Sequence, residues 1–437
     1  MSDLFEHLPF RAADILLPRG CDMTLWSVVA CDQYTSQPEY WQRVEERVGR
    51  APSTLRMILP ESCLEGPNVE TDIMEINNTM GRYLRDGLFE TYTDSLIYVE
   101  RTLSSGKVRR GLVGMVDLEQ YDYEPGAQVL IRATEGTVLS RIPPRVAVRK
   151  NAPIELPHVM MLTDDPEQTV IEPLAAQTGS MKPVYDFELM EQGGHIRGWV
   201  LTQEQKAQVA GALTALTDPQ AFRERYQLKG EEPVLLFAVG DGNHSLATAK
   251  ECYERQKRLT PPEQWERLPA RYALCELVNL HDSSLEFEPI HRVVFGVKPE
   301  ELLQALRAER DAGKLSGGDG PAHPLLYAYR GASGTGERGC IHVNHPSARL
   351  PVGTLQNFLD DFLLAHPGVR VDYIHGGDVA LRLAEERSDA VAFLLPDMGK
   401  EDLFPTVIHD GVLPRKTFSM GEAQDKRFYL EARKIRD

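Results

Sequence analysis

The sequence lacks the features that would place the protein in a membrane, in a secreted disulfide framework or among the zinc proteins. No run of about 18 apolar residues occurs, so we expect no transmembrane helix. The chain begins with an acidic, mixed segment that is unlike a secretory signal. Its 6 cysteines are scattered and form no Cys-x-x-Cys pair. These absences favour a reduced, cytoplasmic enzyme or binding protein, with a protein–protein scaffold as the alternative.

Several familiar catalytic signatures are also missing. The chain contains no His-Glu-x-x-His, no Gly-x-Ser-x-Gly and no Walker-type Gly-Lys-Ser/Thr sequence. A zincin, an α/β-hydrolase and a P-loop NTPase are therefore not indicated. Any catalytic site has to be sought in a less common arrangement of residues.

Positive charge is scarce relative to negative charge. Lys+Arg is 48 and Asp+Glu is 65, which gives a formal net charge of −17. A field of that sign repels phosphate backbones and anionic membrane surfaces, so we expect neither nucleic acid nor a membrane as the main partner. The hydrophobic share of 42% and the charged share of 26% are ordinary for a soluble globular protein.

Strand-like and helical segments alternate along the 437 residues, which predicts a mixed α/β protein. Pro143-Pro144 punctuates the chain before a basic stretch, and the pattern changes again near Lys298. We therefore divide the chain into three parts: an N-terminal α/β part of residues 1–150, a central part of residues 151–297 and a C-terminal α/β part of residues 298–437.

Two helices near the N-terminus can be placed from their patterns. The first begins with Ser36 as N-cap and Glu39 three residues later, as in a capping box, and runs to about Val48. The second runs from Asn68 to Phe89, where apolar residues recur at helical spacing.

The most informative stretch follows a predicted buried strand and precedes a predicted helix, Leu246 to Arg258. It reads Gly240-Asp241-Gly242-Asn243-His244-Ser245. The glycines permit close backbone approach, and the helix directs its free N–H groups at the loop, which is the local geometry of an anion site. In that interpretation Asp241 holds Mg²⁺ and His244 donates to a phosphate oxygen. A tight Asp-Gly turn with Asn243 or Ser245 as helix N-cap explains the same spacing.

This loop resembles the Asp-Gly-His-His-Arg-type loop of domain-of-unknown-function family 1015. That family in turn resembles the ParB/sulfiredoxin-like nucleotide-binding fold, which includes free serine kinases. Four further stretches match the family in the same order and extend the similarity over most of the chain: Trp26 to Pro38 (WSVVACDQYTSQP), Arg132 to Glu135, Pro289 to Arg292, and Leu413 to Phe418.

The resemblance implies that the loop from Gly240 to Ser245, with the backbone of Gly240 and Gly242, binds the phosphates of ATP or ADP. The sequence departs from the motif at Asn243, where the first His stands, and at Ser245, where the Arg stands. Losing that Arg removes a bidentate phosphate fork, so other cations have to supply the charge. The candidates for this role are Arg292, Lys250 and Arg132.

The resemblance also implies phosphoryl transfer, with Mg²⁺, to the hydroxyl of a free amino acid. L-Serine, giving O-phosphoserine, is the best candidate. Such transfer needs a carboxylate to take the hydroxyl proton. Asp32 is our first choice for this base, with Asp241 and His244 as the other catalytic residues. We assign substrate binding to Glu39, Glu135 and Arg132.

Structural roles explain some of these residues equally well. Glu39 completes the predicted capping box, Glu135 could pair with a neighbouring arginine, and Arg292 could form a surface ion pair with Glu286 or Glu288. A nucleotide-binding regulator without small-molecule turnover is the alternative function, since Ser245 replaces the motif's Arg. The acidic balance argues against a DNA-binding form of that regulator.

Overall fold

A computed structural model of the chain describes residues 4–436. In that range no helix combines the length and the apolar character needed to cross a bilayer. The α-helices are, in chain order, α1 (Met23–Trp26), α2 (Pro38–Val48), α3 (Val69–Arg85), α4 (Ile142–Arg149), α5 (Gln203–Leu216), α6 (Pro219–Tyr226), α7 (Asn243–Lys257), α8 (Pro299–Asp311), α9 (Pro351–Ala365), α10 (Gly377–Glu385) and α11 (Leu403–Asp410).

Strands alternate with these helices, which confirms the predicted mixed α/β class. The strands are β1 (Phe10–Arg11), β2 (Ala13–Pro18), β3 (Val28–Val29), β4 (Phe89–Ser95), β5 (Ile97–Thr102), β6 (Val108–Asp117), β7 (Tyr121–Asp122), β8 (Ile131–Ala133), β9 (Ile154–Glu155), β10 (Met160–Thr163), β11 (Lys182–Glu188), β12 (His195–Val200), β13 (Phe237–Asp241), β14 (Tyr272–Asn279), β15 (Phe287–Phe295), β16 (His323–Arg330), β17 (Gly336–Val343), β18 (Arg370–His375), β19 (Ala390–Leu394), β20 (Phe418–Met420), β21 (Phe428–Tyr429) and β22 (Arg433–Lys434).

The described chain divides into two compact units. The first unit comprises residues 4–285 together with residues 421–436, and the second comprises residues 286–420. The three-part division at residues 150 and 297 stays a prediction from the sequence.

A ten-stranded mixed sheet forms the centre of the first unit, with strand order β11-β12-β5-β6-β14-β10-β13-β8-β7 and β1 paired to β6. β13 is an interior strand that lies between β10 and β8. Its apolar residues Phe237, Ala238 and Val239 are therefore fully buried. It runs parallel to β8 and antiparallel to β10, so that Asp241 at its carboxyl end lies opposite Met160. The predicted phosphate loop therefore begins at the end of a buried strand.

Helix α7 follows this loop and packs against α4. Ile142 and Val146 of α4 form a small apolar cluster with Ala247 and Cys252 of α7. The prolines of Pro143-Pro144 belong to the first turn of α4, where a missing N–H breaks no helical hydrogen bond. The basic stretch that follows them in the sequence is therefore helical and supports α7.

The last described residues return to the first unit and are bound tightly there. β21 pairs with β3 and β22 pairs with β9. The indole N–H of Trp26, itself fully buried, donates to the carbonyl of Leu430 at 2.9 Å. This return brings the residues around position 427 into the interior of the first unit.

Arg427 lies at the centre of a buried ion cluster. Its Nη1 is 2.9 Å from Glu276 Oε2, and its Nη2 is 2.6 Å from Glu431 Oε2. Burial opposes the charge, but Glu431 and Glu276 outweigh it and raise the pKa of Arg427. The cluster ties the C-terminal segment to β14, because Glu431 of that segment and Glu276 of β14 share the Arg427 guanidinium.

The second unit is built on a six-stranded sheet with order β17-β16-β19-β15-β18, and with β20 paired to β15. Helix α10 covers this sheet through Ala380 and Ala384, which pack against Val293 and Phe295 of β15. The hairpin of β16 and β17 and the antiparallel pairing of β15 with β18 complete the sheet.

Two predicted helix ends were wrong. Ser36 does not cap α2, because Pro38 occupies the first turn and Gln37 becomes the N-cap, with no side-chain hydrogen bond. Helix α3 ends at Arg85 instead of continuing to Phe89. Gly87 adopts φ +67°, which turns the chain so that Phe89 begins β4.

The ion cluster yields a stability prediction for the first unit. Replacing Arg427 by Leu leaves Glu431 buried without a cation and removes the nearer of the two arginines beside Glu276, since Arg109 Nε lies 3.6 Å from Glu276 Oε1. We expect a loss of about 3–5 kcal/mol in the free energy of unfolding. All 4 tryptophans (Trp26, Trp41, Trp199 and Trp265) belong to this unit, so their fluorescence during urea denaturation reports its unfolding.

The control is Arg43→Leu, which breaks an ion pair with Glu191 whose arginine side chain is 54% exposed. We expect this change to lower stability by less than about 1 kcal/mol. Equal effects of the two substitutions would contradict the importance of the buried cluster.

Candidate functional site

The turn between β13 and α7 leaves the N-terminus of the helix without a side-chain cap. Gly242 is the N-cap residue and adopts φ +83°, a conformation that favours glycine. A Cβ atom at this position would lie 3.1 Å from the Cα of Val159. The alternative in which Asn243 or Ser245 caps the helix is therefore wrong, and the first N–H groups of α7 remain available to an anion.

Asp241, one residue before this N-cap, carries a negative charge. Its Oδ1 accepts the N–H of Gly242 at 2.9 Å, and its Oδ2 lies 3.2 Å from the Nζ of Lys426. Burial by itself raises the pKa of this carboxyl, but Lys426 and the hydrogen bonds from Lys426 and Gly242 together bring the pKa below its ordinary value. A carboxylate and an ammonium group therefore lie side by side at the helix N-terminus.

Asn243 connects the loop to the strand beside it. Its Oδ1 accepts the N–H of Thr134 at 3.3 Å, and its Nδ2 donates to Thr134 Oγ1 at 3.2 Å. The hydroxyl of Thr134 in turn donates to the carbonyl of Val239 at 2.6 Å. Asn243 is 5% exposed, and its side-chain amide is used in these hydrogen bonds. A structural role, the connection to Thr134, therefore accounts for an asparagine at this position.

His244 is held as a neutral imidazole. Its Nε2 accepts the N–H of Val138 at 3.3 Å. Burial, assisted by Arg145 and Arg141, lowers the pKa of His244 to about 4. Since Nε2 is an acceptor in this bond, Nδ1–H is the group that can donate to a ligand, as the sequence interpretation of this residue requires.

His158, which was not singled out from the sequence, lies at the centre of the site. Its ring is 6% exposed, and its Nε2 is 3.2 Å from Ser245 Oγ and 3.8 Å from Asp32 Oδ2. Its Nδ1 is 2.8 Å from the hydroxyl of Tyr429. The histidine thus joins Ser245 of α7 to a carboxylate and to the C-terminal segment.

The tautomer of His158 follows from the bonds of Tyr429. The tyrosine hydroxyl donates its one proton to Cys31 Sγ at 3.0 Å and accepts the N–H of Cys31 at 3.3 Å. With this arrangement of protons, Nδ1 of His158 donates to the tyrosine oxygen, and Nε2 is an acceptor 3.2 Å from the Ser245 hydroxyl. Burial first, and then Asp32, raise the pKa of Cys31 to about 12, so the thiol stays protonated and is not a nucleophile.

The predicted substrate residues lie on α2 and on or just after β8. Glu39 is exposed in the first turn of α2, and Glu135 follows β8 and is half-buried. Arg132 uses its Nε and Nη2 to donate to the carbonyls of Val129 and Pro233. Burial lowers the pKa of Arg132 to about 10.

The cations expected to replace the missing Arg are engaged elsewhere. Lys250 donates to the carbonyl of Leu118 and lies 3.1 Å from Glu254. Arg292, in the second unit, is fully buried, and its guanidinium donates to Gln356 and to backbone carbonyls that include those of residues 290, 415 and 416. The surface ion pair suggested for Arg292 is therefore wrong, and its phosphate contact stays a prediction.

Lys426, Tyr429 and Thr134 complete the set of residues that sequence reasoning missed. Lys426 and Tyr429 stand in Asp-Lys-Arg-Phe-Tyr-Leu-Glu near the end of the chain, some 180 residues after the loop they contact. The mixed charged and aromatic character of that segment was a usable signal. Nothing in the spacing could have linked it to Asp241.

The family of the chain is shown by a match to its amino-acid sequence. The model of the family described as "Protein of unknown function (DUF1015)" matches residues 8–357, and the chain belongs to that family. The expected resemblance is thereby confirmed. No curated protein matches the sequence.

Similar solved structures include a variant of a free serine kinase in complex with AMP, at 10% identity and a TM-score of 0.39, covering 75% of this chain and 93% of that one. They also include a conserved hypothetical protein from Pyrococcus furiosus, at 11% identity and a TM-score of 0.33, covering 72% and 96%. A third is C-terminally truncated SbnI from Staphylococcus aureus, at 10% identity and a TM-score of 0.33, covering 73% and 82%.

The low pKa of His244 gives a test of the site by stability. The unfolded chain takes up this proton near the ordinary pKa of 6.5, whereas the folded chain takes it up only near pH 4. The folded state is therefore favoured above the first value and loses that contribution as the pH falls toward the second. We expect the urea midpoint of the wild type to fall more steeply over this range than that of His244→Gln, in which an amide oxygen can still accept the Val138 N–H. Parallel pH profiles would contradict a neutral, buried His244.

Proposed function

We propose that the chain is a nucleotide-dependent kinase that transfers a phosphoryl group to the hydroxyl of a free amino acid, with L-serine, giving O-phosphoserine, as the first acceptor to test. One observation supports this most directly: an uncapped helix N-terminus, a cation, an ionised carboxylate and a histidine whose Nε2 lies 3.2 Å from Ser245 Oγ occupy one cluster. Phosphoryl transfer depends on neutralising charge, on positioning, and on a group that accepts the hydroxyl proton.

The phosphates of ATP or ADP would bind at the N-terminus of α7. The N–H groups of the first helical residues and the ammonium group of Lys426 are the donors in reach of Asp241 and Gly242. In this proposal Lys426 supplies the positive charge that the motif's Arg supplies in the family, since Ser245 stands in its place.

Asp241 would hold Mg²⁺. Within residues 4–436 no group of three or more His, Cys, Asp and Glu side chains could form a metal site by itself. A single carboxylate does suit Mg²⁺, which keeps several waters and takes substrate phosphate oxygens as further ligands. The ion would also remove the repulsion between the ionised Asp241 and a phosphate.

His158 and Asp32 would act together in taking the proton of the acceptor hydroxyl. Nε2 of His158 would take the proton once the acceptor hydroxyl replaces Ser245 Oγ as its hydrogen-bond partner, and Asp32 Oδ2 at 3.8 Å would stabilise the imidazolium that forms. In this proposal Nδ1 donates to the hydroxyl of Tyr429, 2.8 Å away, and this bond holds the ring in the required tautomer. Asp32, our first choice of base from the sequence, thus becomes the partner of a histidine in this proposal.

A regulator that binds nucleotide without turnover is the second candidate. It is favoured by the pairing of Asp241 with Lys426, which occupies the carboxylate, and by the Ser in place of the motif's Arg at position 245. Binding without phosphoryl transfer is the outcome that distinguishes it.

The kinase proposal can be tested by incubating the purified protein with Mg²⁺, ATP or ADP, and a pool of free amino acids. We expect one phosphorylated amino acid, identified by mass spectrometry. His158→Asn should lower kcat at least a hundredfold, because the proton acceptor is lost, and should leave nucleotide affinity within about threefold, since general-base catalysis contributes about 10²–10⁴-fold to a rate.

The matched control is His195→Gln, a half-buried histidine of the same unit that is hydrogen-bonded to Asp186 and Glu188. It should leave both constants within twofold. Absence of any phosphorylated amino acid with both nucleotides would contradict the kinase. Thermal stabilisation by nucleotide without product would favour the regulator instead.

A further inference from the structure

The first unit contains a cavity of about 1150 Å³. None of the residues that line it belongs to the candidate site. It is bordered by β1, β2, β22, the start of α5 and the residues that precede β14. Its volume is slightly above the range of about 300–1,000 Å³ that is typical of small-molecule sites, so it can hold such a ligand. We refer to it as the basic cavity.

The inner wall of the basic cavity is apolar. Phe5, Ala13 and Leu16 contribute to it and are each no more than 3% exposed. Met115 and Leu268 extend this wall. A ligand with an apolar body would bury that body against these side chains.

The charged lining of the basic cavity is mostly positive. Six cationic side chains and two carboxylates line it, in a chain whose formal net charge is −17. The cations are Arg11, Lys206, Arg267, Arg433, Lys434 and Arg436.

Both carboxylates of the lining are already engaged within the protein. Lys206, 3% exposed, donates to Asp94 Oδ2 and to the carbonyl of Asp94, both at 2.6 Å. Asp14 Oδ1 accepts the N–H of Asp94 at 2.9 Å. Arg433 is likewise neutralised by Glu155, which does not line the cavity.

Uncompensated positive charge remains at the mouth of the cavity. Arg267 and Lys434 are exposed, and neither side chain has a carboxylate within 4.0 Å among the described residues. A cavity with an apolar wall and unpaired cations concentrates anions locally, even on a protein of opposite net charge. Arginine in particular recognises carboxylate and phosphate oxygens through two parallel donors.

We propose that the basic cavity is a binding site for an organic anion that carries an apolar body. The anionic group lies between Arg267 and Lys434, and the apolar body lies along Phe5, Leu16 and Met115. This proposal does not depend on the kinase activity, because the two sites have no residue in common.

The test uses 8-anilinonaphthalene-1-sulfonate, an aromatic anion whose fluorescence rises in apolar surroundings, with the full-length protein. We expect saturable binding. The double variant Arg267→Glu/Lys434→Glu should weaken it at least tenfold. The matched control, Lys229→Glu/Arg258→Glu, makes the same charge change at exposed residues that do not line the cavity, and should stay within twofold of the wild type.

Displacement of the dye by other compounds distinguishes the contribution of the anionic group from that of the apolar body. Decanoate should displace the dye at concentrations at least tenfold lower than inorganic phosphate, which has the charge alone, or decanol, which has the apolar chain alone. Equal loss of dye binding in both double variants would overturn the proposal. So would displacement by phosphate or by decanol as effective as that by decanoate. The substituted side chains are exposed, so circular dichroism should show all variants folded.

Discussion

The buried ion cluster of Arg427 is the interaction on which the candidate site depends. Glu276 belongs to the central sheet and Glu431 to the C-terminal segment, so the guanidinium between them fixes that segment against β14. Lys426 and Tyr429 stand on either side of this anchor and reach Asp241 and His158. Because a buried charge without its partner is strongly destabilising, the segment cannot leave the unit without breaking both the core and the site.

This arrangement also explains how an acidic protein could attract an anionic ligand. A net charge of −17 repels anions at long range, but salt screens that field within about 10 Å at 0.1 M ionic strength. At shorter range the helix N-terminus of α7 and the ammonium group of Lys426 determine the local field, as Arg267 and Lys434 do at the basic cavity. Two places in the first unit thus present positive groups that a ligand could use.

The sequence predicted the elements whose signals are local. The mixed α/β class, a buried strand before the Gly240–Ser245 loop and a helix after it were expected from apolar runs and glycine spacing. The helix begins at Asn243 instead of Leu246, however, and so includes the second half of the predicted loop. The ends of α2 and α3 were missed, since Pro38 and Gly87 override the periodic pattern. The site itself could be predicted only in part. Asp241 was identified from the glycine-rich loop between a strand and a helix, and Asp32 through the kinase resemblance, but His158, Lys426 and Tyr429 reach the site through pairings between distant strands that no spacing encodes.

The central claim, that Lys426 completes an anion site at the N-terminus of α7, is tested most directly by calorimetric titration with ADP in the presence of Mg²⁺. The wild type and the control Lys229→Gln, an exposed lysine of the same unit, should bind with the same affinity. Lys426→Gln should bind at least tenfold more weakly, which corresponds to about 1.4 kcal/mol. Unchanged affinity in Lys426→Gln, or no binding by the wild type, would contradict the account.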